Sequence, residues 1–260
     1  MTDSLHYATV RRPGNSRHLA FVHGFTQTSR SWTPLLAALG DDIDATCLDA
    51  PGHGDSALVR GGVSRSATLV ANRIREIDRP TVLVGYSMGG RIALDLAVRH
   101  PDVLSGLVLI GATAGLRTEV ERTERRQLDE ELARRIESIG VEGFLDEWLA
   151  QELFATLAPE LRDRGDRLRN TAAGLAASLR ECGVGSQEPL WDRLSSLRVP
   201  VLLIVGELDT KFRAIAEQMR ASIGANATIE VIGRAGHTAH LERPSDAAGV
   251  VRRWLEAEVP

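Results

Sequence analysis

Short apolar runs at residues 18–22, 45–48, 81–84, 104–110, 199–205 and 228–232 alternate with stretches of helical periodicity. Runs of this length, separated by amphipathic segments, predict an α/β chain: a mostly parallel sheet with helices on both faces. In such sheets, binding and catalytic sites form beyond the carboxyl ends of the strands. Between residues 113 and 197 the strand signal disappears. Charged helical patterns at 119–138 and 141–157 replace it, with Pro159 as a break. We therefore expect a core of residues 1–112 and 198–260, with 113–197 inserted as a helical cap.

The strand run at 81–84 leads into Gly85-Tyr86-Ser87-Met88-Gly89, and a helical pattern follows over 90–100. This order fits a nucleophile elbow, in which a Ser on a tight strand-to-helix turn projects its hydroxyl from the sheet. Glycines on either side remove Cβ atoms that would collide there. A Ser hydroxyl needs a base to take its proton and an acid to orient that base. Of the seven histidines, His237 in Arg234-Ala235-Gly236-His237 follows the final strand run and is the best-placed base, with His240 as its rival. His23 and His53 sit in glycine turns and read as loop-shaping, while His6, His18 and His100 lie away from the expected site. The acid is expected at Asp209, just past the strand at 199–205, with Glu207 as the alternative. His23-Gly24-Phe25-Thr26 follows the first strand run, and the backbone N–H groups of Phe25 and Met88 are the expected oxyanion donors. Asp49-Ala50-Pro51-Gly52-His53-Gly54 reads as a turn with a shaping role.

Composition narrows the field. A chain of 260 residues, 43% hydrophobic and 25% charged, can bury a substantial core, and it carries no apolar run of membrane-spanning length. A net charge of −4 argues against general nucleic-acid binding. Cys47 and Cys182 are far apart without metal-type spacing, so reduced cysteines are expected. Met1-Thr2-Asp3-Ser4-Leu5-His6 lacks a secretory pattern, which makes the cytoplasm the default compartment. Arginine is abundant and lysine nearly absent, so only an arginine with a positional argument is informative. No motif points to a metal or organic cofactor.

Taken together, Gly85-Tyr86-Ser87-Met88-Gly89-Gly90-Arg91, Gly206-Glu207-Leu208-Asp209-Thr210-Lys211-Phe212-Arg213 and Gly236-His237-Thr238-Ala239-His240 resemble the α/β-hydrolase superfamily. Within it they resemble the 2-succinyl-6-hydroxy-2,4-cyclohexadiene-1-carboxylate synthases of menaquinone biosynthesis. The resemblance implies the α/β-hydrolase fold and a lyase that eliminates pyruvate from a small polycarboxylate. It makes Ser87 a base activated by His237 and Asp209, rather than an acylated nucleophile. It further implies substrate contacts from Tyr86, Arg91, Arg122, Trp148 and Arg169. Arg117 stands where that family often has a Gln. An ester or carbon–carbon bond hydrolase of the same fold is the alternative enzyme. A noncatalytic receptor would not need Ser87, Asp209 and His237 together.

Overall fold

The computed structural model describes residues 4–10 and 17–259; the leader-free reading of the first six residues thus falls partly outside the described residues. The element order is β1 (Tyr7–Val10), β2 (His18–Val22), α1 (Thr33–Leu39), β3 (Asp44–Leu48), α2 (Val63–Arg75), β4 (Thr81–Tyr86), α3 (Met88–Arg99), β5 (Gly106–Ile110), α4 (Glu119–Leu149), α5 (Arg164–Arg167), α6 (Ala172–Cys182), β6 (Val201–Gly206), α7 (Thr210–Ile223), β7 (Ala227–Ile232), α8 (Ala239–Glu242) and α9 (Pro244–Glu258). The strands form a sheet in the order β1-β3-β2-β4-β5-β6-β7. Only β1 is antiparallel, pairing Tyr7 with Leu48 through Val10 with Ala45; the remaining neighbours are parallel.

β1 was not foreseen, because all its residues are exposed and no buried periodicity marks it. The inner strands are apolar throughout because helices cover both faces. Leu19 and Phe21, Val82 and Val84, Val108 and Ile110, and Leu202 and Ile204 face one layer, where they meet α1 and α9. Ala20, Val22, Leu83, Leu107, Leu109 and Leu203 face the other, against α2, α3 and α7. β6 begins at Val201 rather than at 199, since Pro200 has no N–H to donate to the ladder.

Between β5 and β6 the chain is helical among the described residues. Thr118 caps α4 with a reciprocal Glu121 box, and Gly140 breaks its helical run at φ 73°, ψ 175°. The second helical stretch, expected to reach 157, ends at Leu149. Phe154 and Leu157 instead turn back to pack with Leu145, Leu149 and Leu241. A second cluster joins Ile136, Phe144, Leu175 and Leu179 over Phe25. Cys47 and Cys182 are free and buried. No helix among the described residues is long and apolar enough to cross a membrane.

Candidate active site

Ser87 lies between β4 and α3 with φ 49° and ψ −108°, in the left-handed region that a side-chain-bearing residue rarely occupies. Its N–H donates to the Ile110 carbonyl at 2.9 Å, which pins the turn to the neighbouring strand. Backbone crowds this turn. A Cβ on Gly85 would meet the Gly89 carbonyl, and one on Gly89 would overlap the Val22 carbonyl oxygen. The elbow therefore brings strand and helix together more closely than any side chain allows.

Asp209 follows β6 and caps α7, its Oδ1 accepting from the Phe212 N–H at 3.2 Å. Its Oδ2 lies 2.7 Å from His237 Nδ1, and His237 Nε2 lies 3.3 Å from Ser87 Oγ. A carboxylate only accepts, so Nδ1 carries the proton and Nε2 presents its lone pair to the serine. Glu207, the alternative acid, instead accepts from the Arg234 N–H at 2.8 Å. Gly111, at φ 54°, leaves space for the imidazole; a Cβ there would lie 2.9 Å from His237 Cε1. The rings of Phe212 and Tyr86 flank His237 at 4.4 and 5.4 Å.

His240, the rival base, is fully buried between Trp32 and Tyr86, with ring centroids 4.8 and 4.4 Å away. Among the described residues, both its ring nitrogens lack hydrogen-bond partners. Burial, with smaller contributions from His237 and Arg167, pulls its pKa down to about 3, so it is a neutral packing group at pH 7.

The loop after β2, which carries Phe25, is braced by two more neutral histidines. His23 holds the Gly24 carbonyl through Nδ1 at 2.8 Å and accepts the Ala50 N–H at Nε2. His53 bonds the Pro51 carbonyl through Nδ1 and accepts the Thr26 N–H at Nε2, at 3.2 Å. Burial lowers both pKa values, that of His53 to about 3. The backbone N–H groups of Phe25 and Met88 take part in none of the turn and capping bonds among the described residues. Phe25 packs edge-on against Trp148, with centroids 5.2 Å apart. Trp148 also stacks on Phe144, and its indole N–H lacks a partner among the described residues.

The arginines divide sharply. Arg91 is buried and donates to the Cys182 carbonyl at 2.6 Å and to Gln187 Oε1 at 3.1 Å. Burial draws its pKa down to about 10. Arg122 is held by Glu119 and by the carbonyls of Leu116 and Arg117. Arg169 pairs with Asp55 at 2.8 Å and with Asp166. Neither of these two bonds a triad residue. Arg117 lies 3.8 Å over the Trp191 ring. The sequence reading passed over Arg167. It is 2% exposed, bonds Thr26 Oγ1 and the Arg162 carbonyl, and lies close enough to Tyr86 and His240 to influence their titration. Among the described residues, neither Arg91 nor Arg167 has a carboxylate at ion-pair distance. No sequence signal separates Arg167 from Arg162, Arg164 and Arg169 around it.

A strand-end Ser, His and Asp in this connection, on a mostly parallel sheet covered on both faces, define a site of α/β-hydrolase type. The model of the alpha/beta hydrolase family matches residues 19–250. A Bacillus subtilis (strain 168) protein, provisionally designated a 2-succinyl-6-hydroxy-2,4-cyclohexadiene-1-carboxylate synthase, is 38% identical over 98% of this chain and 96% of its own. The synthase of that name from Enterobacter sp. (strain 638) is 36% identical over 93% of this chain and 92% of its own. The solved structure of MenH from S. aureus superposes with a TM-score of 0.91 at 30% identity, covering 97% of this chain and 98% of that one. The chain belongs to the alpha/beta hydrolase family and, within it, to the 2-succinyl-6-hydroxy-2,4-cyclohexadiene-1-carboxylate synthases.

Proposed function

We propose that this protein eliminates pyruvate from 2-succinyl-5-enolpyruvyl-6-hydroxy-3-cyclohexene-1-carboxylate, giving 2-succinyl-6-hydroxy-2,4-cyclohexadiene-1-carboxylate. Asp209 holds His237 in the Nδ1–H tautomer, and Nε2 takes the Ser87 proton. Ser87 Oγ then removes the proton next to the succinyl carbonyl. The electron pair of that C–H bond is delocalised onto the carbonyl oxygen, where the Phe25 and Met88 N–H groups receive the enolate-like charge. Its return forms a ring double bond between C2 and C3, the existing C3–C4 double bond shifts to C4–C5, and the carbon–oxygen bond from C5 to the enolpyruvyl group breaks. The leaving enolpyruvate takes up a proton and becomes pyruvate. Water is not consumed.

The observation that favours this over ester hydrolysis is the pair of buried guanidinium groups, Arg91 and Arg167, with no carboxylate at ion-pair distance among the described residues. A buried cation is costly unless paired, and a substrate carrying several carboxylates supplies the missing charge. We assign Arg91 and Arg167 to substrate carboxylates, with Tyr86 and Trp148 as walls beside the ring. Arg122 and Arg169 already have acidic partners and stabilise the helical segment, which we read as a cap over the site. A small polycarboxylate substrate and a cytoplasmic location belong to the same reading.

A coupled assay of pyruvate release from that substrate, with Ser87→Ala as control, tests it. Rapid release that depends on Ser87 is expected. A folded enzyme giving no acceleration over background, yet cleaving simple aryl esters, would replace the lyase with a hydrolase.

A further inference from the structure

The loop that carries the Phe25 N–H contains a conformational anomaly. Gln27 N–H donates to the Gly24 carbonyl at 3.2 Å, and Gln27 Oε1 accepts the Gly24 N–H at 3.0 Å. Phe25 and Thr26 thus occupy the middle of a tight turn, and Thr26 has φ 68°. Turns with positive φ at this position normally use glycine, because a Cβ crowds the backbone there; a β-branched residue is the least suited of all. Such a conformation persists only where the surroundings over-determine it.

Here every polar group of Thr26 is held from outside the turn. Its N–H donates to His53 Nε2, its hydroxyl accepts from Arg167, and its carbonyl accepts from Asn170 Nδ2 at 2.7 Å. Asn170 is 5% exposed, and its amide faces three chain segments. Oδ1 accepts the Gly54 N–H at 2.9 Å, and Nδ2 donates to the Arg167 carbonyl at 2.9 Å as well as to Thr26. Two carbonyls on one side and an N–H on the other fix which end of the amide is which. Nearby, Thr28 Oγ1 donates to Asp166. The segment 166–170 therefore grips the loop 26–28 directly.

We infer that Asn170 is a positioning residue: through Thr26 it fixes the direction of the Phe25 N–H, so the helical segment between β5 and β6 helps to build the oxyanion site. This rests on the assignment of Phe25 proposed above. Threonine in a glycine position fits this role, since its hydroxyl gives Arg167 a grip that glycine lacks.

The test is Asn170→Asp, which keeps the size and the acceptor but turns an oxygen toward two carbonyls. We expect kcat to fall about tenfold to a hundredfold with KM within about threefold, below or within the range for complete loss of one oxyanion donor. The Phe25 and Thr26 amide signals of 15N-labelled protein should move. Adding Thr26→Gly makes positive φ inexpensive without Asn170, so the double variant should regain about threefold or more of the lost kcat. Unchanged kcat in a folded variant, a loss confined to KM, an unmoved Phe25 amide, or no recovery with glycine would overturn the inference. If Asn170→Asp does not fold, Asn170→Ser, which also removes the amide donor, takes its place. Should the native enzyme release no pyruvate, the Phe25 amide shift and its reversal by Thr26→Gly still decide the positioning link. Failure of the lyase reading is thereby told apart from failure of this one.

Discussion

The sheet side and the helical side of the site are built by different means. Ser87, Asp209 and His237 each follow a strand, and the backbone dictates where they stand. Ser87 is pinned through Ile110, and Asp209 caps its own helix. On the helical side, position follows from which side chains happen to meet. Arg122 and Arg169 are neutralised by Glu119 and Asp55, while Arg167 is left facing a carbonyl and a hydroxyl, as Arg91 on α3 is left facing a carbonyl and an amide. Charge alone is thus uninformative in the helical segment, and the identity of each partner decides what an arginine does.

The largest effect should come from breaking the backbone-placed side. Ser87→Ala should reduce kcat by about a thousandfold or more, and Asp209→Asn by a comparable factor, since a neutral amide no longer enforces the Nδ1–H tautomer. Steady-state pyruvate release measures both. A Ser87→Ala enzyme retaining near-normal kcat would remove the serine from the chemistry.

Stability should divide along the same boundary. Gly89→Ala forces a methyl onto the Val22 carbonyl, which belongs to the central sheet and cannot yield. We expect a loss of about 2 kcal/mol or more in urea unfolding. Gly140→Ala, at φ 73°, ψ 175° with nothing within 4 Å of the new Cβ, should lose less, about 1–2 kcal/mol, from backbone strain alone. Equal losses would show that the two regions are equally constrained.

Next in size is the contrast among arginines. Arg167→Lys should lower kcat/KM about tenfold to a hundredfold, because an ammonium point charge cannot replace a planar fork. Arg169→Lys should change it less than about threefold, as a partly exposed ion pair contributes little. The reverse ranking would move the substrate contact to Arg169.

The same contrast explains what the sequence disclosed. The alternation of strands and helices, the Ser, Asp, His order and the helical interruption were legible, because short apolar runs and glycine turns encode backbone geometry locally. The preference for Asp209 over Glu207 had little local basis, since both follow β6 within three residues and only the loop's course brings Asp209 to 2.7 Å from His237. β1 escaped because its residues are exposed. Arg167 and Asn170 escaped because their roles depend on Thr26, more than a hundred residues away in the chain.

The smallest effect at pH 7 is expected from His240, and it separates the two histidines that follow β7 most cleanly. In the fold its pKa is about 3, against an ordinary value of 6.5. From about pH 6.5 down to about 3, the unfolded chain binds a proton that the native state refuses, so stability falls as pH falls. Above that range this histidine adds no pH dependence. A fully titrating group of this kind gives a slope of about 1.4 kcal/mol per pH unit, and His53, also at about 3, adds a second. His240→Phe fits an aromatic stack between Trp32 and Tyr86 and removes two unpartnered nitrogens. It should leave kcat at pH 7 within about twofold while flattening the acid limb of stability by one such slope, read from urea midpoints between pH 6 and 4. If the acid limb keeps its full slope, His240 does not titrate as a buried neutral group; if kcat collapses at pH 7, it serves the chemistry that we propose for His237.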